Sequence, residues 1–88
     1  MYQPFTLGSV VYSRAGRDKG RFFLVVEVVD ENFVRIADGK TRMIAKAKLK
    51  KIKHLKNEGV VIQKIADKLA NNSKVFDVEL FSALKVYN

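Results

Sequence analysis

The sequence predicts a mainly β domain with helices at its C-terminal end, and three observations carry that prediction. The stretch Gly8–Val29, GSVVYSRAGRDKGRFFLVVEVV, sets two strand-like runs on either side of the six-residue loop AGRDKG. Asp38-Gly39 is a strong hairpin signal between further apolar runs. Beyond Leu55 the apolar spacing changes to i, i+3, i+4, the mark of an amphipathic helix. At 88 residues the chain has room for one core, divided here into a barrel over 1–56 and a helical extension over 57–88 packing on or beside it.

Each element has its own justification. Tyr2, Pro4 and Phe5 form a short entry segment whose rings are expected to tuck against the domain. Gly8–Arg14 reads as the first strand, with Val10 and Tyr12 on one face and Val11 and Ser13 on the other. The loop Ala15–Gly20 carries Arg17 and Lys19 at its tip and has Arg14 and Arg21 at its bases, with Asp18 offsetting one of these charges. Gly16 and Gly20 frame it. Residues 21–29, RFFLVVEVV, are nearly all apolar and β-branched or aromatic, which describes a strand covered on both faces, the central one of a small closed barrel.

Asp30-Glu31-Asn32 makes a polar turn and Phe33–Ala37 a third strand. A two-residue hairpin at Asp38-Gly39 would pair Arg35 with Arg42 and Val34 with Met43, pointing Val34, Ile36 and Met43 inward. The two arginines would then either splay into water or hold an anion such as a phosphate between them. Ile44–Leu55, IAKAKLKKIKHL, alternates like a strand around Lys48 yet repeats Leu49, Ile52 and Leu55 at helical spacing. The extended reading, with Ile52 inward, is preferred because the barrel still lacks a closing edge.

The helices come last. Glu58–Leu69 places Val61, Ile62, Ile65, Ala66 and Leu69 on one stripe, with Asn57 as N-cap and Asn71-Asn72-Ser73 as the stop. A second helix is expected over Val78–Tyr87 behind an Asp77 N-cap. Phe76 and Phe81 would form a hydrophobic staple, and Leu80, Phe81, Leu84 and Tyr87 a packing stripe.

Charge narrows the function. The net charge is +8, and all of the excess lies between Lys40 and Lys56, where eight basic residues meet no acid; the rest of the chain balances nine against nine. Such a block points to a polyanionic partner. Catalysis is not expected: the chain has no cysteine and one histidine, His54, set among lysines. The carboxylates Glu27, Asp30, Glu31 and Asp38 fall on strand ends and turns. AGRDKG leads into a strand rather than a helix, so it is not a Walker-type phosphate loop. No cofactor or metal is expected. The start, MYQPFTLG, has neither feature of a signal peptide, and the longest apolar run, Phe22–Val26, is far short of a membrane span. A cytoplasmic location follows as the expectation.

The pattern of a glycine, apolar alternation, Gly16-x-x-x-Gly20 and a long apolar strand resembles the KOW motif of ribosomal proteins and transcription elongation factors. The run AGRDKGRFFLVVEVVDENFVRIADG, followed by KIKHL at Lys51–Leu55, resembles the L-fourteen-e family of large-subunit ribosomal proteins and the small KOW-domain RNA-binding proteins of Gram-positive bacteria related to it. The likeness covers Gly8–Leu55. It implies an SH3-like barrel of about five strands and a non-catalytic, RNA-binding role. By position it carries over the loop glycines Gly16 and Gly20, the loop basics Arg17, Lys19 and Arg21, and Arg42 with the lysines before His54. Where the family often has proline and arginine, this chain reads Lys46-Ala47-Lys48-Leu49, and the tail beyond Lys56 matches loosely.

The candidate RNA-binding set is therefore Arg14, Arg17, Lys19, Arg21, Arg35, Arg42, Lys46, Lys48, Lys50, Lys51, Lys53 and His54. The partner is ribosomal or other structured RNA, gripped by its phosphate backbone, with low sequence specificity. Tyr12 and Phe33 are candidate stacking rings, with core packing as the competing role. A protein-interaction module of the translation or transcription machinery, docking through the C-terminal helices, is the alternative function. An anionic-membrane binder lacks bulky apolar anchors beside the lysines, and a methyl-lysine cage lacks tryptophan.

Overall fold

A computed structural model describes residues 5–88, so the entry segment at Tyr2 and Pro4 lies outside the described residues. Strand β1 spans Ser9–Ser13, β2 Phe22–Val28, β3 Phe33–Ala37, β4 Lys48–Lys51 and β5 Leu55–Val61; helices α1 (Gln63–Ala70) and α2 (Asp77–Leu84) follow. The strands form one antiparallel sheet in the order β4-β3-β2-β1-β5, with β2 in the middle. This is the mainly β fold with C-terminal helices that the sequence predicts. It is barrel-like, but the sheet does not close, since β4 and β5 stand at opposite ends of the strand order.

Alternation along β2 explains its central place. Phe23, Leu24 and Val25 are all fully buried, so both faces of the sheet are covered here. On one face Leu24 joins Val10 and Ala37 against Ile65 of α1 and Leu80 and Leu84 of α2. On the other, Phe23 and Val25 meet Val11, Val34, Ile36 and Leu55, with Phe5 and Ile52 packed against them. That second cluster draws on β1, β2, β3 and β5, and the sheet must curl to bring them together. The helices thus share a core with the sheet, and β5 runs past residue 56 to Val61. Burying a leucine such as Leu80 contributes about 2 kcal/mol.

Three sequence expectations need correction. Asp38-Gly39 is not a two-residue hairpin. Asp38 Oδ1 accepts the backbone N–H groups of Lys40 and Arg42 at 2.9 and 2.8 Å, and Oδ2 accepts the Thr41 hydroxyl at 2.7 Å. This side-chain capture holds a wider turn, and the chain passes through a 3-10 turn at Ile44–Lys46 before β4 begins. Arg35 therefore faces Leu49 rather than Arg42, and Met43 is 45% exposed instead of inward.

Glu58–Val61 is strand rather than helix. Gly59 has φ +76°, which no α-helix accommodates, and Asn57 accepts the Gly59 N–H at 2.8 Å instead of capping a helix. Pairing with β1 across an irregularity satisfies the backbone here, so Val61 faces Ser9 and stays partly exposed. The stop of α1 is as expected: Asn72 at φ +57° lets Ser73 N–H donate to Lys68 O, a Schellman closure.

At α2 the correction is small. Asp77 is the first helical residue, and its carboxylate accepts the Ile44 N–H at 2.7 Å from the loop after β3. Glu79 instead supports the helix start, accepting the Phe76 N–H at 2.9 Å and the Lys68 ammonium of α1 at 2.7 Å. Phe76 takes the N-cap position with its ring 55% exposed, so it does not act as the N′ half of a staple, and Phe81 is 39% exposed.

Candidate nucleic-acid interface

The β1–β2 loop is tightly tied to itself. Gly20 N–H donates to Ser13 O, Lys19 N–H to Gly16 O and Arg21 N–H to Asp18 O, within 2.9 to 3.2 Å. Gly16 and Gly20 supply the positive φ values, +80° and +88°, that these turns require. Asp18 is turned inward and only 6% exposed. It accepts hydrogen bonds from Arg42 Nε at 3.2 Å and Nη2 at 3.4 Å, and Lys48 Nζ stands 3.4 Å away. Lys50 reaches the same loop, donating from Nζ to the Ala15 carbonyl at 2.9 Å. Arg14 N–H donates to His54 O at 2.9 Å. The loop, the turn after β3, strand β4 and the turn before β5 are thereby drawn together.

Lys50 shows what this crowding costs. It is 7% exposed, and its pKa is lowered by burial first and then by the neighbouring Lys48 charge; Asp18 works the other way and Arg42 adds to the lowering. Beside this hub lies a second buried carboxylate, Asp38, with Arg21 Nη2 at 3.5 Å. Burial disfavours the Asp38 charge, but the hydrogen bonds from the Thr41 hydroxyl and the Arg42, Lys40 and Thr41 amides outweigh it and hold the carboxyl below its ordinary value. Around these two acids stand Arg21, Arg42, Lys48 and Lys50, and the loop that carries Asp18 also bears the exposed Arg14, Arg17 and Lys19, a local excess of positive charge.

The sequence-derived residues thus fall into groups. Arg14, Arg17 and Lys19 are exposed on the loop. Lys46, Lys51 and Lys53 are exposed along the Lys46–His54 segment, and His54 is half-buried. Arg21, Arg42, Lys48 and Lys50 are engaged with Asp38, Asp18 or Ala15, so they build the scaffold of the patch. Arg35 is not part of it; its partner is Glu27 at 3.3 Å, in an exposed pair of little energetic weight. An anion held between Arg35 and Arg42 is ruled out by the register.

The lysine run is also not a continuous ledge. Lys48 and Lys50 oppose the buried Ile36 and Val34, so they share the inward face, while Leu49 and Lys51 point outward. Neither candidate stacking ring is free. Tyr12 packs 5.0 Å from Phe22, which in turn meets Tyr87 at 5.4 Å, and Lys51 Nζ sits 5.9 Å from the Phe33 ring centroid.

Sequence reasoning missed the central part of Asp18, the one acid inside the basic loop. Its sequence signal was that isolation; what it could not supply was the partners, which lie 24 and 30 positions along the chain. Among the described residues no three of His, Asp or Glu converge closely enough to share a metal ion, and no helix is long and apolar enough to cross a membrane. No protein-family model matches the chain.

Proposed function

We propose that this protein is a non-catalytic, KOW-type RNA-binding protein of the cytoplasm, associated with the ribosome or another structured RNA and gripping its phosphate backbone. The observation that carries the reading is the convergence of the glycine-framed loop and the Arg42–His54 segment around Asp18, with more cations than the two buried acids neutralise. Arg42, Lys48 and Lys50 hold the loop, while Arg14, Arg17, Lys19, Lys46, Lys51 and Lys53 present their charges to solvent. Such cations release counter-ions on meeting phosphates, so affinity should fall steeply with salt. About four to six contacts to single-stranded segments give a log–log slope of about −3 to −4.

The test is filter binding to a structured RNA across salt, with Arg17, Lys19, Lys51 and Lys53 all replaced by glutamine. Affinity is expected to drop by about tenfold or more and the slope to flatten by about three. The melting temperature should move by only about 4 °C or less, because these side chains are exposed. A variant that binds RNA like the parent shows that this surface is the wrong one.

A second reading rests on α2 and the residues flanking it, where Phe76, Val78, Phe81 and Val86 are exposed, 86% in the case of Val86. These apolar groups favour a protein-interaction module of the translation or transcription machinery. RNA affinity that stays level between low and moderate salt would favour that role.

A further inference from the structure

A recess of about 210 Å³ lies between the Asp38–Arg42 turn and α2, with Arg21, Lys40, Lys85, Asp38, Phe81 and Asn88 among its lining. Three of these side chains are cations and one is a carboxylate. That carboxylate is heavily committed, since Asp38 already accepts from two backbone amides and the Thr41 hydroxyl, with Arg21 Nη2 at the long distance of 3.5 Å. Arg21 Nε is buried and has no hydrogen-bond acceptor among the described residues. Buried donors nearly always find a partner, be it a water, an ion or a ligand, and the Arg21 side chain keeps 39% of its surface open to meet one. The apolar side of the recess, Phe81 and Leu84, strengthens any charge interaction made against it.

The walls are fixed before any ligand arrives. Gly39 is pressed so closely on the α2 start that a Cβ there would overlap the Asp77 carbonyl oxygen. Asn88 is pinned by two hydrogen bonds to the Phe22 backbone, 2.9 and 3.2 Å. Lys40 Nζ sits 5.7 Å from the Phe81 ring centroid, a cation–π contact that holds the ammonium near the rim. Arginine's planar fork and two flanking ammonium groups suit a tetrahedral oxyanion. Arg42 joins this recess to the loop hub, since its amide donates to Asp38 while its guanidinium donates to Asp18.

We infer that the recess is a subsite for one phosphate group of an RNA chain, held by Arg21, Lys40 and Lys85, an inference that rests on the RNA-binding reading above. The RNA backbone passes from the β1–β2 loop across Arg42 to α2, which extends the contact surface beyond the basic block of the sequence. Lys85 belongs to it although it lies 29 positions past the end of that block. In this arrangement the helical extension takes part in binding RNA as well as in completing the core.

The test uses the full chain, labelled with nitrogen-15, and follows the Arg21 Nε–H resonance. The ligands are inorganic phosphate, then a short oligoribonucleotide with and without a 5′-phosphate. A saturable shift with phosphate and with RNA is expected, with affinity about fivefold weaker in Lys85→Gln and in Lys40→Gln. Both lysines are exposed, so neither variant threatens the fold. A stronger response to the 5′-phosphorylated oligonucleotide assigns the site to a terminal phosphate, and an equal response to both assigns it to the backbone. A shift that rises linearly without saturating, or unchanged affinity in both variants, overturns the subsite. RNA binding with a steep salt slope but an unmoved Arg21 resonance overturns the subsite while leaving the RNA-binding reading intact. Saturable phosphate binding without RNA binding overturns both the RNA-binding reading and this inference, leaving an anion site of another kind.

Discussion

Replacing Asp18 by asparagine tests the hub that joins the two basic segments. The change keeps the shape and one acceptor but removes a charge that is 6% exposed and faces Arg42 at 3.2 Å and Lys48 at 3.4 Å. At an effective dielectric near 20, each such pair carries about 4 to 5 kcal/mol of raw attraction, much of it offset by the cost of desolvating the carboxylate. The cations keep about a third of their side-chain surface in water, 31% and 32%, so the pairs lie between exposed and buried cases. A net loss of about 2 kcal/mol is expected. For a domain of this size that lowers the melting temperature by about 8 to 16 °C. Thermal unfolding followed by circular dichroism, with and without added salt, is the assay. Combining Asp18→Asn with Lys48→Gln should give less than the sum of the two, since both remove one pair. A melting temperature unchanged within about a degree or two would refute the claim that Asp18 organises this end of the sheet.

Three more outcomes follow from the same geometry. Lys50→Met should leave stability near neutral pH unchanged or raise it, because burial and Lys48 already oppose its charge; denaturant titration measures this, and a large loss would mean that its bond to the Ala15 carbonyl dominates. The Asp38 carboxyl, lowered in the folded state, binds fewer protons there than in the unfolded chain at acid pH. Its stabilisation is complete above its unfolded value, about pH 4, and is lost as pH falls through the lower folded value. Asp38→Asn should flatten this acid limb in melting curves taken from pH 6 downward. Gly39→Ala should destabilise by about 2 kcal/mol or more, since it combines a positive φ with overlap onto the Asp77 carbonyl; a variant as stable as the parent would show that α2 can move off the turn.

Much of the scaffold was legible in one dimension because it depends on periodicity. RFFLVVEVV could be read as the central strand since only a strand buried on both sides tolerates an unbroken apolar run, and Phe23, Leu24 and Val25 bear this out. The Asn71-Asn72 stop of α1 was legible for a similarly local reason, the tolerance of asparagine for positive φ. Asp38-Gly39 misled because the dipeptide favours a turn without fixing its width. The Asp38 carboxylate chose the width by taking the Lys40 and Arg42 amides. Glu58–Val61 misled because its apolar spacing suits a helix, and pairing with β1 outweighed that preference.

From the order of residues alone came most of the element types, the glycine-framed loop and the confinement of the excess charge to Lys40–Lys56. These are properties of neighbouring residues, and neighbours are what a sequence records. Only the folded chain decided which cations are free. Two of the lysines in that block turn inward, and an aspartate from a loop 24 residues earlier draws in Arg42. The physical reason is that ion pairing and burial act through space, over a few ångströms, between groups whose separation along the backbone carries no information about their distance.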